Sequence, residues 1–355
     1  VAGFWKLLTG LKVSRAMVMG VIMPQTESDQ AEAASSRRPQ DALLCDMELL
    51  YRDIFYPLGY PVEIITNDKV VLQAAKESFG HGVLSRSSET FQIRVGVSND
   101  GGSVCPSEPT RREFNHLYSL VADVNNQALL DLRSRINFTW VTSAAVKNRI
   151  YFRYNFLEKA VYLLLGASVV TDLHAACVSK NGKGFLLMGN SGAGKSTLAY
   201  ACARVGWTYT SDDTSYLIND SKVPRVIGHS RRARFRPSAK ELFPELEHFG
   251  PTPRLEGKPS IEIAIADLPV EKTATEANVD FIVYLHRNSS AEGRLTRLPN
   301  GTAPQRACRE LYSAGEIRAK HEKILETLSD IPTYELQYCN LGPAILALEA
   351  LSRDR

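Results

Sequence analysis

The apolar positions change period several times along the chain, and each change marks an element. "PVEIITND" and "FQIRVGVS" read as strands, and "KVVLQAAKESF" between them reads as a helix. "LYSLVADVNNQALLDLR" and "INFTWVTSAAV" read as strands around an Asn-Asn turn. "SVCPSEPTRRE", with two prolines, reads as a loop. "YNFLEKAVYLLLGAS" is apolar on most faces, which predicts a buried helix ending at Gly166.

From Val170 onward the pattern is that of alternating strands and helices. "AACVSK" and "GFLLMG" flank Asn181-Gly182-Lys183, a hairpin signal. Phe185 to Met188 form a short continuous apolar run, as expected of a strand covered on both faces. Beyond a glycine-rich turn, Leu198, Ala201, Cys202 and Val205 fall at helix spacing, and Gly206 suits the helix stop. "WTYTSDD" is the next strand, with Asp212 and Asp213 at its carboxyl end, the end that faces the ligand crevice in open α/β sheets. "SYLIND" and "PRVIGH" pair across Ser221-Lys222, and "RRARFRP" follows. "PSIEIAIADLP", "DFIVYLHR" and "PTYELQYC" are further strands, residues 303–328 one or two helices, and "GPAILALEALSR" a closing helix.

Composition narrows the picture. The chain has 355 residues, 44% hydrophobic and 23% charged, with a net charge of +3. A balance so near neutral gives no reason to expect nucleic acid or a membrane surface as partner. No apolar run approaches the roughly eighteen residues of a membrane span. The six cysteines are scattered without a C-x-x-C pair, which points to a reducing compartment, hence the cytoplasm, rather than to disulfides or zinc. The opening "VAGFWKLLTGLKVSRAMVMGVIMP" is broken by Lys6, Lys12 and Arg15, so it is not read as a secretory signal. "PQTESDQAEAASSRRPQ" reads as a flexible linker. Residues 1–40 are therefore expected to be a disordered leader, 41–166 an α+β domain, and 167–355 the domain that carries the chemistry. His81 and His116, alone in the first half, are read as surface or structural residues.

That chemistry starts with a phosphate motif. Gly189-x-x-x-x-Gly194-Lys195-Ser196 matches the P-loop pattern between an apolar strand and an amphipathic helix. Gly189, Gly192 and Gly194 let the backbone curl so that amides point at phosphate oxygens. Lys195 supplies a point charge to the β- and γ-phosphates, and the Ser196 hydroxyl is placed to ligate magnesium. With Asn190, Ser191, Ala193 and Thr197, these are the candidate nucleotide-binding residues. A single carboxylate near magnesium is the usual requirement of such sites. A second, in the pair Asp212-Asp213, suits a general base for an attacking hydroxyl.

"LHAACVSKNGKGFLLMGNSGAGKSTLAYACARVGWTYTSDD" resembles the catalytic core of the HPr kinase/phosphorylase superfamily. The family's strand histidine, hairpin, P-loop, helix end near Arg-x-Gly and Asp-Asp pair correspond to His174, Asn181 to Gly184, Gly189 to Ser196, Arg204-Val205-Gly206, and Asp212-Asp213. The likeness is strong over about forty residues and weak over 170–350. It implies an α/β fold: a P-loop domain with a mixed sheet of the HPr kinase/PEP carboxykinase-like type, preceded by a separate α+β domain. It also implies that Asp213 is the base, that Asp212 sits nearer magnesium, and that His174 orients the pair. Ser196, Asp212 and Glu262 become the candidate metal ligands, and ATP with Mg2+ the cofactors. Bifunctional members follow a glutamate with an Arg-Gly-rich loop; no arginine or glycine follows Glu262 in "SIEIAIADLP". Phosphorolysis and the carrier protein HPr as substrate are therefore not expected, and the chain looks closer to kinase-only relatives. Relatives often assemble, so a homo-oligomer fits the resemblance.

Two functions remain. One is an ATP- and magnesium-dependent kinase acting on a serine-like hydroxyl of a protein, peptide or small molecule. The other is a nucleotide-gated binding protein in which the first half recognises a partner. A transporter ATPase would need an LSGGQ-like signature and an Asp-Glu strand end, and has neither. Adenylylsulfate kinases share Ser-Gly-Ala-Gly-Lys-Ser but suit the histidine and Asp-Asp pair less well. Arg231, Arg232, Arg234 and Arg236 either lend charge to an anion or form a solvated edge strand.

Overall fold

The computed structural model describes residues 43–99, 104–251, 260–288, 292–311, 313 and 315–353. The leader expected over 1–40 lies outside them. Contacts gather Ala42–Arg355 into one unit.

The first half builds a seven-stranded sheet. Its elements are β1 (Tyr51–Phe55), β2 (Val62–Thr66), α1 (Lys69–Phe79), β3 (Phe91–Ser98), β4 (Thr110–Phe114), β5 (Leu117–Asp123), β6 (Asn126–Asp131) and β7 (Ile136–Thr142). The strand order is β1-β2-β3-β7-β6-β5-β4, with β2, β3 and β7 parallel and the other pairings antiparallel. Alternate residues of β2, Val62, Ile64 and Thr66, are buried, as the period-two pattern requires. α1 starts where the Asp68 carboxylate accepts a hydrogen bond from the Val70 amide at 2.8 Å.

Three local expectations are corrected. β7 stops at Thr142, whose hydroxyl accepts from the Ala145 amide and caps the helix α2 (Ser143–Lys147), so "SAAV" is not strand. The proline-bearing loop ends in β4, an edge strand exposed along its whole length. The buried helix does not end at Gly166. It runs from α3 (Arg149–Phe152) through a π-helical stretch, Arg153–Glu158, into α4 (Lys159–Ser168). Gly166 is buried, its carbonyl accepts from His321 Nε2 at 2.8 Å, and the helix continues to Ser168. The domain boundary expected after 166 falls within α4.

The second half alternates as its pattern predicts, through β8 (Val170–Leu173), β9 (Ala176–Lys180), β10 (Lys183–Met188), α5 (Lys195–Arg204), β11 (Thr208–Ser211), β12 (Ser215–Ile218), β13 (Arg225–Gly228), β14 (Arg232–Phe235), β15 (Ile261–Ala264), β16 (Glu276–Asn278), β17 (Phe281–Arg287), β18 (Glu292–Arg297), α6 (Thr302–Arg309), α7 (Gly315–Leu325), β19 (Thr333–Tyr338) and α8 (Leu341–Arg353). Six strands form a mixed sheet in the order β11-β9-β10-β17-β19-β18, with β10, β17 and β19 parallel. β16-β13-β12-β8 form a second sheet, and β14-β15 pair alone. β9 and β10 turn at Asn181 and Gly182, both with positive φ (53° and 78°), the geometry of an Asn-Gly hairpin.

β10 is covered on both faces, which explains its unbroken apolar run. Phe185 and Leu187 pack with α5 and α8, while Leu186 and Met188 pack with α6 and α7. α5 itself is buried from Leu198 to Cys202 on nearly every face, whereas Val205, expected on its apolar stripe, caps the helix and is exposed. The cluster under the seven-stranded sheet takes in Val170, Tyr216, Ile218 and Ile227 from the β8-β12-β13 sheet, so the two halves share a core. The architecture is mixed α/β. No helix among the described residues is long and apolar enough to cross a membrane.

Candidate active site

Gly189 to Gly194 form the turn between β10 and α5. Gly189, Gly192 and Gly194 all take positive φ, 142°, 89° and 97°, which a side chain would oppose. Lys195, the first residue of α5, is 5% exposed. Its Nζ donates to the Gly189 carbonyl at 2.6 Å, the Asn190 carbonyl at 3.4 Å and His174 Nε2 at 2.9 Å. All three ammonium protons are thus engaged. Burial holds the Lys195 pKa below its ordinary value, against the opposing pull of Asp213 and Glu310.

His174 lies not within a strand but on the bend between β8 and β9. A lysine ammonium only donates, so Nε2 of His174 must accept, and in the neutral ring the proton sits on Nδ1. Nδ1 faces Asp213 Oδ1 at 3.5 Å. The sequence Lys195, His174, Asp213 is therefore a continuous polar contact across three segments.

Asp212 and Asp213 follow β11, as the pattern predicts, and diverge. The Asp213 side chain is 42% exposed, while residue Asp212 is 7% exposed. The Asp212 carboxylate accepts from the Arg234 amide at 2.8 Å, and burial pushes its pKa up to about 7. Its backbone carbonyl accepts from the Ser196 hydroxyl at 3.1 Å. Arg234 reaches Asp213 Oδ2 at 3.5 Å and Glu262 Oε1 at 3.6 Å. Arg232 also approaches Glu262, at 3.8 Å, and the Tyr154 hydroxyl donates to it at 3.4 Å. Of the arginine cluster, then, Arg234 joins the site and Arg232 lies beside it, both on β14 of the two-stranded pair, while Arg231, Arg232 and Arg236 are exposed.

Residues without a sequence signal hold these parts in register. Ser211 Oγ donates to Ser215 Oγ at 2.6 Å, and Ser215 Oγ donates to the Ala175 carbonyl at 3.0 Å. Both serines are buried. They tie the bend carrying Asp212 and Asp213 to the bend carrying His174. Tyr338, at the end of β19, donates to the Ala193 carbonyl at 2.9 Å and props the glycine-rich turn. An aromatic residue at a strand end reads as core from sequence, so nothing marked it.

Among the described residues no group of three or more His, Cys, Asp or Glu side chains is disposed to hold a metal by itself. Magnesium on a polyphosphate needs fewer protein ligands, and takes hard oxygens. The Ser196 hydroxyl and the Asp212 backbone carbonyl offer such oxygens 3.1 Å apart; the Glu262 carboxylate is engaged by two arginines and a tyrosine.

No family model matches the chain, and no curated protein does. Among solved structures, the HPr(Ser) kinase/phosphatase from Coxiella burnetii aligns over 51% of this chain and 91% of its own, at 12% identity and a TM-score of 0.28.

Proposed function

We propose that the chain is an ATP- and magnesium-dependent kinase that transfers the γ-phosphoryl group to an alcohol hydroxyl of a protein, peptide or small molecule. One observation carries the reading: the polar contact from Lys195 through His174 to the half-exposed Asp213, beside a glycine-rich turn that opens a helix. The turn and the first amides of α5 suit the phosphates of ATP. Lys195 would exchange its contacts with Gly189 and Asn190 for phosphate oxygens. Asp213 would take the proton of the acceptor hydroxyl as its oxygen bonds to the γ-phosphorus; the bond to the bridging oxygen breaks, and ADP leaves with the electron pair. His174, whose Nδ1 faces Asp213 Oδ1, would orient the carboxylate. Asp212 is too enclosed to meet an acceptor; Ser196 and Asp212 are the residues for magnesium. When bound, the ion neutralises charge on the phosphates.

The purified chain, given γ-labelled ATP, magnesium and a matched extract, should label an acceptor on a hydroxyl. Hydrolysis of ATP with no labelled acceptor overturns the reading. One feature favours the alternative, a nucleotide-gated binding protein: Arg234 pairs with Asp213 Oδ2 at 3.5 Å and so occupies an oxygen that an acceptor hydroxyl would need. Partner affinity that follows nucleotide without any phosphoryl acceptor would carry that alternative.

A further inference from the structure

β10, β17 and β19 run parallel and side by side, so their carboxyl ends open on one edge of the sheet. β10 ends in the glycine-rich turn, and β19 ends in Tyr338, whose hydroxyl holds that turn. β17, between them, ends in Arg287, which lies opposite Tyr338 in the parallel register. A Cβ built on Gly194 would collide with the Tyr338 hydroxyl and would lie 3.7 Å from Arg287 Cδ. The aliphatic stem of Arg287 therefore runs along the last residue of the turn, at the amino end of α5. The residue is exposed, and among the described residues it has no ion-pair partner. A cation at the positive end of a helix is electrostatically misplaced unless an anion sits between them. No carboxylate of a described residue pairs with it there.

We propose that Arg287 is a phosphate-binding residue of this site, a second cation that grips the phosphate tail of the nucleotide beside Lys195. The inference rests on the nucleotide reading above. The two cations divide the work. Lys195 is a buried point charge, held from below by the turn's own carbonyls. Arg287 brings a planar fork from the neighbouring strand end, able to donate two parallel hydrogen bonds to phosphate oxygens. With its stem already laid against Gly194, little side-chain freedom would be lost on binding.

The test uses the full chain with magnesium, measuring affinity for ATP and ADP by calorimetry and for AMP by competition, in wild type, R287K and R287Q. R287Q should weaken ATP and ADP by about tenfold or more while leaving AMP near the wild-type value. R287K, which keeps the charge but not the fork, should fall between. Unchanged affinities in R287Q, or an equal loss for all three nucleotides accompanied by a lower melting temperature, overturn the assignment and leave Arg287 as a prop for the turn. If the wild type binds none of the three, the nucleotide reading itself is what has failed, and the proposal falls with it.

Discussion

His174 accepts a hydrogen bond from Lys195 through Nε2 at 2.9 Å, which commits its Nδ1 proton to the side of Asp213. The lysine thereby selects the imidazole tautomer that serves the carboxylate. Removing the ring should affect transfer more than binding. His174→Ala is expected to lower kcat by about a hundredfold, the scale of a misplaced reacting group, because Asp213 loses the ring that orients it. ATP affinity, checked by calorimetry, should move far less. Equal losses in both would mean that His174 only packs the turn.

Asp213 is the open carboxylate of the pair and Asp212 the enclosed one, so their substitutions should separate. Asp213→Asn keeps the shape and removes the proton acceptor; transfer should fall by roughly three orders of magnitude with nucleotide binding nearly intact. Steady-state kinetics beside equilibrium binding would check it.

The Ser211–Ser215–Ala175 hydrogen bonds join the bend of Asp212 and Asp213 to the bend of His174. Ser215→Ala leaves the buried Ala175 carbonyl and Ser211 hydroxyl without their partner, at a cost of about 1–3 kcal/mol. Denaturant unfolding should record that loss. Transfer should also fall in the variant at temperatures where it is still folded, because His174 and Asp213 lose their common anchor.

Gly194 has φ of 97° and has the Tyr338 hydroxyl directly against it. Gly194→Ala should therefore abolish nucleotide binding even though alanine is small. Tyr338→Phe relieves that collision while giving up the bond to Ala193, so the double variant should recover part of the melting temperature lost in the single one.

His321 carries a pH dependence remote from the site. Its Nε2 lies 2.8 Å from the Gly166 carbonyl, which can only accept, so Nε2 donates; Nδ1 faces the Ser313 hydroxyl at 3.0 Å. Burial holds its pKa below the ordinary value. Unfolded, the ring titrates near about 6.5; as pH falls through that value the unfolded chain takes up a proton that the folded chain does not. Stability is thus fully present above about 6.5 and is lost as pH falls toward the depressed folded value. His321→Gln should flatten the fall in melting temperature on that acidic side.

Much of the second half was legible because each local signal had one physical meaning. Asn181-Gly182 can take positive φ at both positions, the buried run Phe185–Met188 suits a central strand, and the glycine turn must precede a helix. The misses share a cause. Thr142 caps a helix only because the sheet ends there, Gly166 sits inside a helix with its carbonyl bonded by the distant His321, and β4 is an edge strand with no apolar alternation to reveal it.

Sequence alone determined the turn at Gly189–Gly194, the helix after it and the Asp212-Asp213 pair at a strand end, because these depend on backbone freedom and periodicity within a few residues. Tertiary structure alone decided which aspartate is open and which enclosed, which nitrogen of His174 meets Lys195, that Arg234 reaches the aspartate pair and Ser215 reaches Ser211, and that Tyr338 and Arg287 lie against the glycine-rich turn. Those relations join residues far apart in the chain. They arise from strand order and register, which no local pattern of side chains encodes.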